Sequence, residues 1–276
     1  MQLLKVLFWS ATVLSLTMLL AWLLALQVKN AGWADTFWTM GIGCSSLTSI
    51  VLFASKPLSS RPFLVMILAA CWSGRLAHYL YSRTRNSPED ARYAYLRKEW
   101  GVSFTKRLFF FLQLQALAAL PLVFSIVVAA DRLGPLDICD FLGTGLFFIG
   151  LMGTTLSDRQ LAAFKANPEN TGLICNNGLW KASRHPNYFF EWLTWCSWPI
   201  LAFSLSGNYY TGVFAMMAPL LMYYLLVYVS GLPLLEAHME RTRPSAFALY
   251  KKETPIFFPN FLKFMKPSSI GAGSLK

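Results

Sequence analysis

The chain reads as an all-α, polytopic integral membrane protein of seven transmembrane helices, with its N-terminus outside and its C-terminus in the cytoplasm. Three observations predict this. Hydrophobic residues fill 55% of the 276 positions and charged residues only 13%, far from the balance of a soluble domain. The apolar residues come in long blocks of about 20, the length that a bilayer demands. Of the 24 Lys and Arg residues, nineteen fall on one side of the resulting scheme and four on the other, with Arg75 inside a span. That bias orients the chain by the positive-inside rule. It also accounts for the net charge of +11 without any nucleic-acid partner.

The predicted spans cover 6–27, 36–54, 62–81, 107–130, 135–156, 187–206 and 210–233. The first has a single basic residue, Lys5, ahead of it and too long an apolar run for a usual signal peptide, so it counts as a true span. The connection KNAGWADTFW sets Asp35 between Trp33 and Trp38, aromatics suited to an interfacial belt. Asp35 there is either a helix cap or a residue facing a substrate cavity. GIGCSS in the second span favours close helix approach. In the third span, CWSGRLAHYLYSRTR puts Arg75, Tyr79 and Arg83 one turn apart on one face. This is a polar stripe for a negatively charged ligand, or a set of arginines snorkelling to the interface.

RNSPEDARYAYLRKEWG mixes charges with Tyr93, Tyr95 and Trp100, the pattern of a helix lying on the membrane surface or capping a cofactor pocket. The fourth and fifth spans are nearly pure apolar helices with Gln113, Gln115, Asp137 and Asp140 as the polar exceptions, and Asp137 and Asp140 read as solvated near the outer interface. The five cysteines show no ligand spacing, which points to neither a disulfide framework nor a metal site. Residues 1–263 read as one domain and 264–276 as a flexible C-terminal tail.

The segment Ser157–Trp195 concentrates the chemistry. Asp158, Lys165, Asn170, Arg184 and His185 crowd a polar connection that runs straight into an apolar helix still carrying Glu191. Pro186 suits the first position of that helix. The helix then starts beside Arg184, a ready place for an anion such as phosphate. Asn187, Tyr188, Glu191 and Trp195 fall on one of its faces. An intramembrane carboxylate is costly and usually functional. The bland reading keeps Arg184 and His185 as interfacial residues with Glu191 as a private partner. After the last span, LLEAHMERTRPSAFALYKKETPIFFP places Glu236, Arg241, Arg243 and Tyr250 in a run of alternating charge, a folded cap more than a lipid-binding tail.

SDRQLAAFK, GLWKASRHPNYFFEWLTW and LLEAHMERTRPSAFALYKKETPIFFP, with SGRLAHYLYSRTR and EDARYAYLRKEWG upstream, resemble the membrane-embedded steroid 5α-reductase family, its bacterial branch above all. The resemblance runs over roughly two-thirds of the chain. It implies a seven-helix bundle with NADPH in a cytoplasm-facing cavity and a steroid or sterol-like enone entering from the membrane lipid; the chain is expected in the bacterial inner membrane as a monomer, though its sequence leaves the oligomeric state open. Carried over by position, it assigns Asp158, Lys165, Asn187, Glu191 and Trp195 to the cofactor. It matches Arg75 and Tyr79 in the third span and Arg241, Arg243 and Tyr250 near the C-terminus. Arg83, Asn170, Arg184, His185 and Glu236 join the expected cofactor set as their polar neighbours. Animal steroid reductases also carry a Gln-Glu pair and a tyrosine that polarise the 3-oxo group. Here the tyrosine position is Trp72 and no such pair exists, which leaves Tyr79, Tyr188 and Asp35 as candidate donors.

The alternative expectation is an S-adenosylmethionine-dependent integral membrane methyltransferase of the isoprenylcysteine or phospholipid type, since those enzymes share an RHPNY-like turn before an apolar helix. A non-catalytic lipid-binding or scaffold protein is the third.

Overall fold

The computed structural model describes residues 3–56, 59–85, 87–229 and 231–262; the tail expected over 264–276 lies outside them. Among the described residues the chain is helical, with no strand. Six helical stretches are long and apolar enough to cross a membrane: Leu3–Val28, Trp33–Phe53, Ser60–Arg85, Ala91–Asp131, Ile138–Ala166 and Tyr210–Thr242. They match six of the seven expected spans.

The seventh, 187–206, is not a continuous crossing helix. It is ten residues of α8 (Pro186–Trp195) followed by six of α9 (Ser197–Ala202). The break has a local cause: Pro199 lacks the N–H that would reach Trp195, and its ring collides with that same carbonyl.

The chain divides into two compact units, Met1–Gly145 with Cys196–Leu221, and Leu146–Trp195 with Met222–Lys276. The first holds α1 (Leu3–Val28), α2 (Trp33–Phe53), α3 (Ser60–Arg85), the short α4 (Ala91–Trp100) and α5 (Phe104–Asp131). In this unit α5 packs against α1, α2, α3 and α9. Every residue of α5 from Leu122 to Asp131 is buried, as befits a helix that is apolar all round.

α2 meets α1 through Trp9 Nε1–H donating to Thr48 Oγ1 at 2.9 Å and a Ser10–Ser49 hydroxyl pair at 3.2 Å. It meets α3 where a side chain on Gly43 would run into Ser73. Gly43→Ala is therefore expected to lower stability by about 1–3 kcal/mol through overpacking. Thermal unfolding of the purified variant checks this, and an unchanged midpoint would remove the contact from the account.

One end of the first unit corrects an expectation. Asp140 is not solvated but 1% exposed. It receives Arg61 Nε and Nη2, both at 2.8 Å, and Arg132 Nη2 at 2.9 Å. Arg61 is 2% exposed and directs its remaining donors to the carbonyls of Arg132, Gly134 and Pro135. A buried pair persists only when its hydrogen bonds are met in this way. Asp137 keeps partial exposure, and the Arg132 guanidinium holds its carboxyl down at about 2.

The second unit contains the C-terminal part of the helix that begins at Ile138 and ends at Ala166 (α6), the single turn α7 (Leu179–Ala182), α8, and two helices that follow α10 (Met217–Tyr224) in the chain. These are α11 (Leu232–Thr242), which ends the last apolar stretch, and α12 (Pro244–Glu253). α6 and α8 approach closely where any side chain on Gly153 would overlap the Phe190 ring.

Candidate functional site

The turn that precedes α8 is built by distant parts of the second unit. Arg184 N–H donates to Pro255 O at 2.9 Å, and Asn260 N–H to Ala182 O at 2.9 Å. Ser183 Oγ donates to Phe257 O at 2.9 Å. The Tyr250 hydroxyl donates to Trp180 O at 2.5 Å, and burial raises its pKa. The Arg184 side chain completes the clamp. Its Nε and Nη2 donate to the two oxygens of Glu236 at 2.7 and 3.1 Å, and Nη1 donates to Thr254 O at 2.8 Å. Arg184 is 7% exposed, so protein groups take most of its donors. A planar fork suits this bidentate task as no lysine could.

Glu236 Oε1 also lies 3.1 Å from His185 Nε2, and the imidazole stacks on Tyr188 with ring centroids 5.9 Å apart. His185 is 2% exposed. Burial holds its pKa below the ordinary histidine value, against the opposing pull of Glu236. The folded chain thus favours the neutral ring, and stability should be lost as pH falls below about 6.5 toward the folded value. Histidine-selective NMR should find one of the three imidazoles titrating below the usual range. A His185 resonance titrating above it would contradict this.

On α8 the expected stripe forms. Asn187 Nδ2 donates to Asp158 Oδ1 of α6 at 3.2 Å, and Glu191 Oε1 accepts from Trp195 Nε1–H at 3.1 Å, one turn further on. Asp158, Glu191 and Trp195 are buried at 6%, 8% and 0% exposure, while Asn187 and Tyr188 are half-buried. Asn170 serves the backbone, its Nδ2 donating to Phe164 O at 2.8 Å near the end of α6. Lys165 and Arg241 are exposed and Arg243 half-buried.

The remaining predicted residues belong to the first unit. Asp35 Oδ2 accepts from Arg92 Nη2 at 2.5 Å and lies 3.8 Å from Arg83, and its Oδ1 accepts from the Tyr93 hydroxyl at 3.2 Å. It is not a helix cap but the centre of an ion-pair network that pins α4. The Arg75 guanidinium lies 5.5 Å from the centre of the Tyr79 ring, as their shared helix face requires. Sequence reasoning missed Arg92 and Tyr93 as partners of Asp35. It also missed Ser183 and the carbonyls of Trp180, Thr254 and Pro255. A backbone acceptor carries no side-chain signature that a sequence could display.

Among the described residues no cluster of His, Cys, Asp and Glu is placed to hold a metal ion. No curated protein and no solved structure matches this chain. A family model does: that of DUF1295, described as a protein of unknown function, aligns with residues 21–254 and takes in the stripe on α8 and Arg184 with its side-chain partners Glu236 and Thr254. With most of its length covered, the chain belongs to the membrane-associated DUF1295 family.

Proposed function

We propose that this protein uses NADPH to reduce the carbon–carbon double bond of a lipid-soluble enone, a 3-oxo-Δ4-steroid or a related sterol-like molecule. The observation that carries the reading is the Asn187–Asp158 hydrogen bond. It joins two positions that the steroid-reductase resemblance assigns to the cofactor, on the helix that also bears Glu191 and Trp195.

The residues fit a dinucleotide. The buried carboxylates of Asp158 and Glu191 and the Asn187 amide are acceptors and donors suited to ribose hydroxyls and a carboxamide. Arg241, Arg243 and Lys165 are cations of the same unit suited to phosphates. Arg184, its donors engaged by Glu236 and Thr254, supports the turn. NADPH, when bound, supplies the hydride for the enone β-carbon. The chain's own part is to stabilise negative charge growing on the carbonyl oxygen, for which the phenol of Tyr188, on the helix that carries the stripe, is a donor. Asp35, engaged by Arg92, Arg83 and Tyr93, fastens α4 within the first unit. Apolar helices exclude water. In this reading the broken segment α8–α9 makes the seventh crossing of a monomer in a bacterial inner membrane. The N-terminus lies outside and the cofactor side faces the cytoplasm, as the Lys and Arg bias directs.

The deciding experiment is thermal stabilisation of the purified protein by NADPH and, separately, by S-adenosylmethionine. A shift with NADPH alone, followed by NADPH oxidation on adding an enone steroid, is the expected result. A shift with S-adenosylmethionine alone would replace the reading by the methyltransferase, whose RHPNY-like turn this chain shares. No shift with either would leave a lipid-binding or scaffold protein.

A further inference from the structure

We infer that the corner between α4 and α5, together with the end of α3, is a docking surface for negatively charged phospholipid headgroups. The argument starts from which charges are already matched. Glu89 accepts from Arg97 at 2.7 and 2.9 Å and from the Ala31 N–H at 2.8 Å. Asp90 accepts from Arg92 at 2.9 Å and lies 3.5 Å from Arg83. Asp35 takes the other side of Arg92 at 2.5 Å. Three carboxylates thus meet three guanidinium groups, and this neutral network fastens α4 to the rest of the unit.

What that pairing leaves over is basic. Arg85 donates to the Tyr81 hydroxyl at 3.4 Å, with its guanidinium 6.0 Å from the ring centre, and among the described residues it has no ion pair with a carboxylate. Lys98, Lys106 and Arg107 are exposed, with the exposed Glu99 next to Lys98 in the chain. Lys106 and Arg107 stand in the opening turn of α5, which has no acidic residue. Cations there sit at the positive end of the helix dipole and are disfavoured unless an anion is nearby.

The same corner is apolar where a soluble anion would have no use for it. Tyr95 is 65% exposed and Phe110 59%, and Val102 stands fully exposed in the short turn Gly101–Ser103. Behind it Trp100 packs on Phe104 and Phe111 at 6.1 and 6.0 Å, which gives the corner a rigid base. Cations interleaved with outward apolar side chains fit the boundary between headgroups and acyl chains, and each cation near an anionic surface contributes measurably to binding. The occupant that uses both features is an anionic leaflet. This inference stands independently of the proposed reaction.

The test reconstitutes the full chain in nanodiscs of mixed phosphatidylglycerol and phosphatidylcholine and reads the lipids retained by native mass spectrometry. The parent protein should enrich phosphatidylglycerol. Lys106→Gln and Arg107→Gln should each reduce the enrichment, by up to about fivefold. The fourfold variant Arg85→Gln/Lys98→Gln/Lys106→Gln/Arg107→Gln should abolish it. Lys252→Gln, in the second unit, should leave it unchanged. Equal enrichment in folded single and fourfold variants would overturn the inference. So would complete displacement of the lipid by millimolar inorganic phosphate, the mark of a soluble-anion site. If the fourfold variant does not fold, the single variants decide.

Discussion

Arg184→Ala is expected to destabilise the folded protein by about 3–5 kcal/mol, the largest single effect on stability in the second unit. The substitution strips Glu236, whose side chain is 13% exposed, of two charge-assisted hydrogen bonds and leaves the Thr254 carbonyl without its 2.8 Å donor. His185 replaces only part of this, through its single contact with Glu236 Oε1 at 3.1 Å, and burial opposes its charging. An uncompensated buried carboxylate costs more than the pair contributed. Arg184→Lys should recover only part of the loss, since an ammonium cannot reach both carboxylate oxygens and the carbonyl together. The double variant Arg184→Met/Glu236→Leu should recover more than either single change, because it removes both charges at once. Thermal or denaturant unfolding in detergent reads all three. An Arg184→Ala midpoint equal to that of the parent would mean that the clamp contributes nothing to the fold.

Asn187→Ala and Glu191→Gln should weaken NADPH binding by roughly 10- to 150-fold each, the range for losing a hydrogen bond to or from a charged group. The two changes differ in how far they disturb the protein. Asn187→Ala also removes the 3.2 Å tie to Asp158 and should lower stability by about 1 kcal/mol as well. Glu191→Gln keeps the shape and retains a carbonyl oxygen for the Trp195 indole, so its effect on binding should appear with stability nearly intact. Fluorescence titration with NADPH, alongside unfolding of each variant, separates the two contributions. Unchanged affinity in both would remove α8 from the proposed cofactor site.

Much of this architecture was legible from residue order. Six membrane-length helices announce themselves because hydropathy over about 20 residues is a property of consecutive positions. The spacing of Asn187, Glu191 and Trp195 fixes a shared face because 3.6 residues per turn is local geometry. The missed break in α8–α9 comes from averaging. A window that sums apolar character over 187–206 does not register that Pro199 opposes the Trp195 carbonyl.

Sequence by itself therefore determined the helical membrane class, the approximate positions of six segments and the face of α8 that carries polar groups, since each depends on near neighbours along the chain. Tertiary structure alone decided who holds what. Asp140 is claimed by Arg61 from 79 positions away, Asp35 by Arg92 from 57 and Glu236 by Arg184 from 52. A charge buried in an apolar surrounding must find its counterpart wherever the fold brings one, and that choice is made in space, beyond the reach of any local pattern.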